Sequence, residues 1–442
     1  MTLVLAHGLT GRADLPIPSW LFGWAASVVL VVSFVALATL WREPRLERSG
    51  ERPLFRIPRW VDLVCGAVGV AVFALVVYAG LAGTQNPDQN LAPNFVYVHF
   101  WVGFVVVSML FGDVFRAFNP WLAIGRAAGW AAGRAGIRSP VRRPYPQWLG
   151  RWPAVATLVA FALVELVYDE GADPSVVGKL ALVFMAAQLA AMALFGVRQW
   201  ADNGDGFSVY FNLFARLSPF VRRDGVLHLR RPLTGAPGMP VVAGSVALVC
   251  VAIGITTFDG FSNGSIWADV QPDLADALGR VEFADTLGLA LSIGAISLLL
   301  WLGVRGMQSV GGGHSTRELA ARFAHTLVPI ALAYAIAHYF SLLVIKGQTI
   351  GYLASDPLGK GSDLFGTADW TVNQAVLSGE TIWFVQVAAL IVGHVAGLVL
   401  AHDRALGVYK RTSEATRSQY WMLVVMVGLT SLGLWLLSAV RQ

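Results

Sequence analysis

The sequence predicts an all-α, polytopic integral membrane helix bundle of about ten transmembrane helices, with both termini outside the cell. Three observations predict it. Of 442 residues, 56% are hydrophobic and 13% charged, and mean hydropathy is +0.61. The apolar share thus exceeds that of a water-soluble domain, and the charged share is about half of it. The apolar residues gather into stretches of about 20, enough to cross roughly 30 Å of hydrocarbon, and not into the short alternating segments of a membrane barrel. The loops between these stretches alternate in charge. Because such a bundle buries its polar backbone helix by helix, residues 1–442 read as one transmembrane domain.

In chain order the spans fall near 17–41, 60–82, 95–115, 152–170, 176–198, 240–258, 286–305, 322–345, 382–402 and 419–439. "WREPRLERSGERPLFRIPRW", after the first, carries six Arg; 116–151 carries seven, 198–231 six, 305–322 three and 404–417 four Lys or Arg. The other six of the 32 basic residues, Arg12, Lys179, Arg280, Lys346, Lys360 and Arg441, fall in the alternate set of loops. Positive charge stays inside. Residues 1–16 therefore become an extracellular arm and 346–381 an extracellular loop, while 116–151 and 199–239 are cytoplasmic interfacial segments. The outer loops are acidic, with "YDEGAD" after the fourth span, Asp259 to Asp285 after the sixth, and Asp356, Asp363 and Asp369 after the eighth. A pI near 9.4 then points to a bilayer partner with an anionic inner leaflet. No nucleic-acid recognition motif is present.

Two inner segments, "NPWLAIGRAAGWAAGRAG" and "FSVYFNLFARLSPF", read as interfacial helices lying on lipid and bracing the bundle. Pro329 predicts a kink in the eighth span, since it removes one backbone bond and clashes with the preceding turn. "SDPLGKGSDLFGTADW" has the composition of a lid, with aspartates spaced wrongly for a calcium loop. Cys65 and Cys250 read as small core hydrophobes. No internal repeat of the kind found in many transporters is visible.

Walker, dinucleotide, nucleophile-elbow and paired-histidine protease motifs are absent, so no nucleotide is expected and chemistry must come from polar residues inside the spans. "HTLVPIALAYAIAHYF" places His325 and His338 in one apolar helix. Thirteen residues separate them by roughly 20 Å and turn their rings roughly 140° apart. Two haems stacked on one face would need about 40°, so haem is not expected. By depth, His338 near the outer end of the eighth span, His99 near that of the third, Glu165 near that of the fourth and His394 midway along the ninth are the residues placed to converge on an outward-facing cavity. Three imidazoles and a carboxylate suit a divalent transition metal such as Zn or Cu. The competing reading is an inter-helix hydrogen-bond network through the stripe Tyr334, His338 and Ser341. Gly393 and Gly397, flanking His394, predict close approach of a neighbouring helix. His325, His402, Asp403 and Asp113 fall at inner helix ends, where contact with water accounts for them, and His228 and His314 fall in inner loops as exposed residues. "LVLA" before His7 resembles the end of a cleaved leader; cleavage there would leave His7 to bind copper through its amine and ring.

"AHGLTGRADLPIPSWLFGWAASVVLVVSFVALATLW", "LVPIALAYAIAHYFSLLVIKGQ", "SDPLGKGSDLFGTADW" and "GHVAGLVLAHDRAL" resemble segments of the actinobacterial multi-pass membrane proteins known as fenitrothion hydrolases, over nearly the whole chain. That family begins with a longer apolar leader ending just before the "HG". The resemblance implies a bacterial plasma-membrane location and hydrolysis of a neutral, lipophilic organophosphorus ester. A metal held by His338, His394 and His99 would then activate water, with Glu165 as catalytic base or fourth ligand. The same intramembrane polar residues also fit a proton- or metal-ion-coupled transporter, or an assembly partner of an extracellular metalloprotein.

Overall fold

Helix length decides the architecture. The computed structural model describes residues 19–47, 50–136 and 143–439. In chain order its helices are α1 (Ser19–Leu40), α2 (Arg59–Ala82), α3 (Leu91–Phe111), α4 (Pro120–Arg134), α5 (Trp152–Leu166), α6 (Pro174–Phe195), α7 (Gly206–Ala215), α8 (Ser245–Ser262), α9 (Ser265–Leu278), α10 (Val281–Ser309), α11 (Thr316–Leu353), α12 (Gly379–Val408) and α13 (Thr412–Ala439). Among the described residues nine of these, α1, α2, α3, α6, α8 and α10 to α13, are long and apolar enough to cross a membrane. Their outer faces show residues such as Leu63, Val183, Val392 and Val424 at 65% exposure or more, as lipid contact requires. The architecture is that of a multi-pass membrane protein.

Two of the differences from the span boundaries read in the sequence have consequences. The fourth span, read as 152–170, is a 15-residue helix, about 22 Å long and shorter than the hydrocarbon. It ends at Leu166 because the chain folds back on itself: a Cβ at Gly171 would lie 1.9 Å from the Val164 carbonyl oxygen. The sixth span, read as 240–258, begins later. Gly244 takes φ +80°, so the helix starts at Ser245 and runs to Ser262, which moves Asp259 from a loop into a buried helical turn.

The chain is not wholly helical. β1 (Arg52–Arg56), from the α1–α2 linker, pairs antiparallel with β3 (Val226–Leu229), which pairs antiparallel with β2 (Phe220–Arg223). Asp224 at φ 51° and Gly225 at φ 79° form the left-handed two-residue turn that hairpins favour. Arg222 forms a salt bridge to Asp62 and Arg223 to Glu51, and Arg404 pairs with Glu47. All these groups belong to the basic set of loops, which therefore meet at one end of the bundle. The acidic set meets at the other: Leu91 N donates to Pro357 O, Thr84 N to Leu358 O, and Lys346 pairs with Asp88 at 3.3 Å.

Two expectations for the basic end fail. α7 does not lie on lipid; Phe207, Tyr210, Phe211 and Phe214 are all buried in an aromatic cluster with Phe100 and Trp101 of α3. A helix apolar all round belongs in a core, because it offers no polar face to water. α4 does keep an interfacial character, with Trp130 exposed and the Arg134 guanidinium stacked 4.8 Å from its ring. Likewise His325, His402 and Asp403 do not reach water; each is 3% exposed or less. The linker after α1 covers His402 and Asp403. Asp403 accepts hydrogen bonds from Trp41 Nε1 at 3.0 Å and Arg45 N at 2.6 Å, while His402 Nε2 faces Trp41 O at 3.0 Å. His228 and His314 are half-buried, the latter against Glu318. Cys250 is buried and Cys65 half-buried, neither in a disulfide.

The close approach expected at Gly393 and Gly397 is present. A Cβ at Gly393 would lie 2.3 Å from Ala333 Cβ and 2.7 Å from Pro329 O, and one at Gly397 2.9 Å from Thr326 O, so α12 and α11 touch backbone to backbone. Gly→Ala in a helix ordinarily stabilises by about 1 kcal/mol. Gly393→Ala is expected to reverse that sign and destabilise by about 1–3 kcal/mol, read as a lowered unfolding midpoint in detergent, with exposed Gly294→Ala as the control.

The segment after α11 is stitched as a cover over the acidic end. Asp363 accepts from Ser355 Oγ at 2.6 Å and Ala368 N at 3.0 Å; these bonds hold its carboxyl below the usual carboxylate range. Burial pushes Asp356 upward, but bonds from Ser362 Oγ and the Gly361 and Lys360 amides outweigh it, and its carboxyl also ends low. Folded pKa values below the unfolded value of about 3.9 mean a stabilisation fully present above about pH 4 and lost as pH falls through the folded values. Amide protection of Gly361 and Ala368 is expected to be flat from pH 8 to 5 and to drop below about pH 4, ahead of the bundle amides, in hydrogen exchange.

Candidate functional site

Polar side chains inside a bundle must be paired by other side chains or backbone, because lipid offers no partner. His338 of α11 meets this demand through Asp259 of α8, with Nε2 2.9 Å from Oδ2 and both side chains buried. Tyr339, next in sequence, packs edge-on against the His338 ring at 4.6 Å and lies in reach of both Asp259 and Glu165. Glu165, in the last turn of α5, feels the charge of Asp259. Its own Oε2 is buried with no hydrogen-bond partner. Tyr97 of α3 and Tyr210 of α7 stand within its field. Two carboxylates, one imidazole and three phenols from five helices thus gather in the half of the bundle nearer the acidic end.

Each side of this cluster opens onto space. On the Nδ1 side of His338, Thr256, Gly260, Tyr334, Leu390 and Gly433 line a cavity of about 20 Å³, room for one water. Gly260 borders it, where a Cβ would come into ordinary contact with Nδ1 at 3.5 Å. On the Glu165 side, Phe161 and Val164 of α5 form one wall of a far larger cavity, about 810 Å³, whose other walls are Val68 to Val76 of α2, Phe95 to Phe104 of α3 and Val177 to Gln188 of α6. The polar groups in its lining are already engaged. Tyr97 Oη donates to Gly171 O at 2.6 Å, Thr157 Oγ1 to Pro153 O at 3.0 Å, and Gln188 Oε1 accepts from Trp200 Nε1 at 2.7 Å. Such a cavity has little to offer water and suits an apolar guest.

The predicted metal ligands are not gathered. His99, in the middle of the π-helical stretch Phe95–Gly103 of α3, lines the large cavity, and both its ring nitrogens face carbonyl oxygens, Nδ1 to Asn94 O at 3.3 Å and Nε2 to Gly347 O at 3.1 Å. Nitrogens pointed at carbonyls present no lone pair to a cation. His394 is fully buried on α12, where Nδ1 donates to Leu390 O at 2.7 Å and the ring lies 6.2 Å from that of Tyr334. Its Nε2 has no partner, but it stands alone. Among the described residues no three of His, Cys, Asp and Glu come together to hold a metal. The donor set for Zn or Cu therefore does not fit. Glu165 and His338 do share one cluster, joined through Asp259 and Tyr339. His7 lies outside the described residues.

Sequence reasoning missed Asp259, set aside as a loop residue, and the three tyrosines. The signal for Asp259 was its place: the run "GITTFDGF" continues the helical apolar pattern past the aspartate. No family model matches this chain, and neither does any curated protein or solved structure.

Removing one side of a buried ion-pair contact strands the other and costs about 3–5 kcal/mol. Asp259→Asn and His338→Gln are each expected to lower stability on that scale, while the double variant falls short of the sum by about 0.5–3 kcal/mol. Chemical unfolding of all four proteins in one detergent measures the coupling, and a value at zero would show that the two groups do not interact.

Proposed function

We propose that this protein takes a lipophilic small molecule from the bilayer into the cavity between α2, α3, α5 and α6 and couples its passage to proton movement through Glu165, Asp259 and His338. The observation that supports this reading is Glu165, whose buried Oε2 has no hydrogen-bond partner; it follows the cavity-lining Val164 in α5 and stands in the field of Asp259, itself 2.9 Å from His338. A proton on Glu165, one residue beyond the cavity-lining Val164, makes its surroundings neutral and compatible with an apolar guest; its loss restores a charge that the guest disfavours. Asp259 Oδ2 lies 2.9 Å from His338 Nε2, within range to exchange a proton once the two align, and an imidazole can take a proton at one nitrogen and release another from the second. The water-sized space at Nδ1 extends the row. The basic end lies in the cytoplasm in this reading, set by the charge of its loops, and the membrane is the cell membrane.

Hydrolysis of a lipophilic organophosphorus ester is the alternative that the family resemblance brings. One feature favours it: a carboxylate-oriented imidazole is a common general base. The space beside His338, about 20 Å³, admits a water and no ester, and this weighs toward transport.

Proteoliposomes with an entrapped pH dye, given a neutral lipophilic phosphorothioate triester as probe, separate the two. Wild-type protein is expected to move probe and protons together. Glu165→Gln should lower proton-coupled uptake by about 100-fold with probe binding retained, whereas Ala160→Trp, which fills the cavity, should lose binding itself. Release of cleaved ester without any flux would overturn the reading in favour of an enzyme.

A further inference from the structure

At the basic end a second group of charges is left incomplete, independently of the transport reading. Arg151, at the residue before α5, is 3% exposed. Its Nε and Nη1 are buried with no hydrogen-bond partner, and among the described residues no carboxylate pairs with it. Arg216, directly after α7, stands within its electrostatic field, with Nη1 donating to Gly238 O at 2.8 Å and a buried, unpartnered Nε. Arg230 adds a third guanidinium, whose Nε and Nη2 are spent on the carbonyls of Ser218 and Ala215. The three raise one another's field. Burial draws Arg151 and Arg216 down only to about 10, so both stay charged at neutral pH.

This arrangement is costly as it stands. A buried cation that cannot shed its proton needs a counter-charge, and Arg151 also sits at a helix N-terminus, where the helix dipole opposes it. Asp113, with Oδ2 taken by Asn212 Nδ2 at 2.9 Å and Oδ1 buried without a partner, offsets part of the charge of Arg216, but among the described residues no acid acts on Arg151. Nor is the arginine free to swing out. Arg151 N donates to Ala243 O at 2.7 Å, and a Cβ at Gly150, which holds φ +43°, would lie 2.3 Å from that same oxygen, so the backbone is pinned. We infer that Arg151 and Arg216 bind a phosphate anion, the group whose oxygens match paired guanidinium forks. The flanking residues point to where such a phosphate sits. Trp148 and Trp152 are 74% and 49% exposed on either side of the buried arginine, the pattern of an aromatic belt at headgroup depth. A phospholipid headgroup and free phosphate offer the same chemistry, and the test separates them.

The full-length protein is purified in a neutral detergent and stripped of lipid, and its unfolding temperature is followed while adding inorganic phosphate, a short-chain phosphatidylglycerol or the matching phosphatidylcholine. Wild-type protein is expected to gain several degrees with phosphatidylglycerol and little with phosphatidylcholine. An equal gain with inorganic phosphate alone assigns the site to the free anion. Arg151→Met should separate the two terms of the argument: in stripped detergent it is expected to unfold at a higher temperature than wild type, having lost an uncompensated charge, and to gain nothing from either phosphate source. Arg151→Lys keeps the charge but not the fork, and should respond about tenfold more weakly. Wild-type protein indifferent to every phosphate compound, or Arg151→Met responding as wild type does, would overturn the inference.

Discussion

The pairing of Asp259 with His338 is the interaction that the candidate site depends on. Neither group is tolerable alone at this depth, since an isolated charge or an unpaired imidazole in an apolar interior has no solvent to turn to. Together they form a contact 2.9 Å long between α8 and α11. Because α8 and α11 are both largely buried, at 78% of their most apolar windows, the pair sits on the two most enclosed of the nine candidate spans among the described residues. α10, α12 and α13 are packed around these helices, and their lipid-facing sides carry the exposed apolar residues. A polar contact at the centre and apolar surface outside is the inverse of a soluble core, and it suits a solvent that rewards no burial of hydrocarbon.

Legibility from sequence tracked how local the determining physics was. Length and apolarity of a span are properties of one segment, and α1, α2 and α6 stand close to where composition placed them. Charge alternation is also additive along the chain, and the loops do sort between two ends as it required. The hairpin was legible in principle: "FVRRDGVLHL" carries an Asp-Gly turn between two alternating runs. It was overlooked because a membrane reading looks only for helices. The candidate site lay beyond this kind of reading. Three histidines looked equivalent by depth, yet depth gives one cylindrical coordinate and leaves rotation open. His99 is turned toward backbone carbonyls of its own turn and of Gly347, His394 toward its own helix, and only His338 toward an acid. Which way a ring faces is set by packing between helices distant in sequence, and a single sequence does not encode it in any short pattern.

α7 illustrates the same limit from the opposite side. Its aromatic residues point in every direction, and the two homes for such a helix are lipid and core. Phe211 and Phe214, with no exposed surface at all, are in the core because α3 and α5 leave a gap that only large rings fill. The buried carboxylate of Asp205 fixes the helix start there: it accepts from Asn119 Nδ2 at 2.9 Å, Trp121 Nε1 at 2.6 Å and Ser208 Oγ at 2.5 Å. Three donors around one carboxylate make an acid at a helix N-terminus acceptable inside the protein, through both hydrogen bonding and the helix dipole.

The large cavity and the position of Glu165 have one structural origin. α5 stops after 15 residues, and α3 widens into a π-helical stretch of nine, a departure that tends to accompany functional sites. A shortened helix beside a widened one cannot fill the space that two regular helices would, and α2 and α6, packed on each other through Gly80 and Gly178, do not move in to close it. The void that results is bounded by apolar side chains on all four helices. Next to the cavity-lining Val164, the early end of α5 leaves Glu165 in the last helical turn, with one carboxylate oxygen buried and unpartnered. Irregular backbone at membrane depth survives only where protein or a cavity surrounds it, and residues 167–171 meet that condition, with Tyr97 Oη donating to Gly171 O from the cavity wall. The same break in helical regularity thus leaves the cavity unfilled and sets in the last turn of α5 an acid with an unsatisfied oxygen.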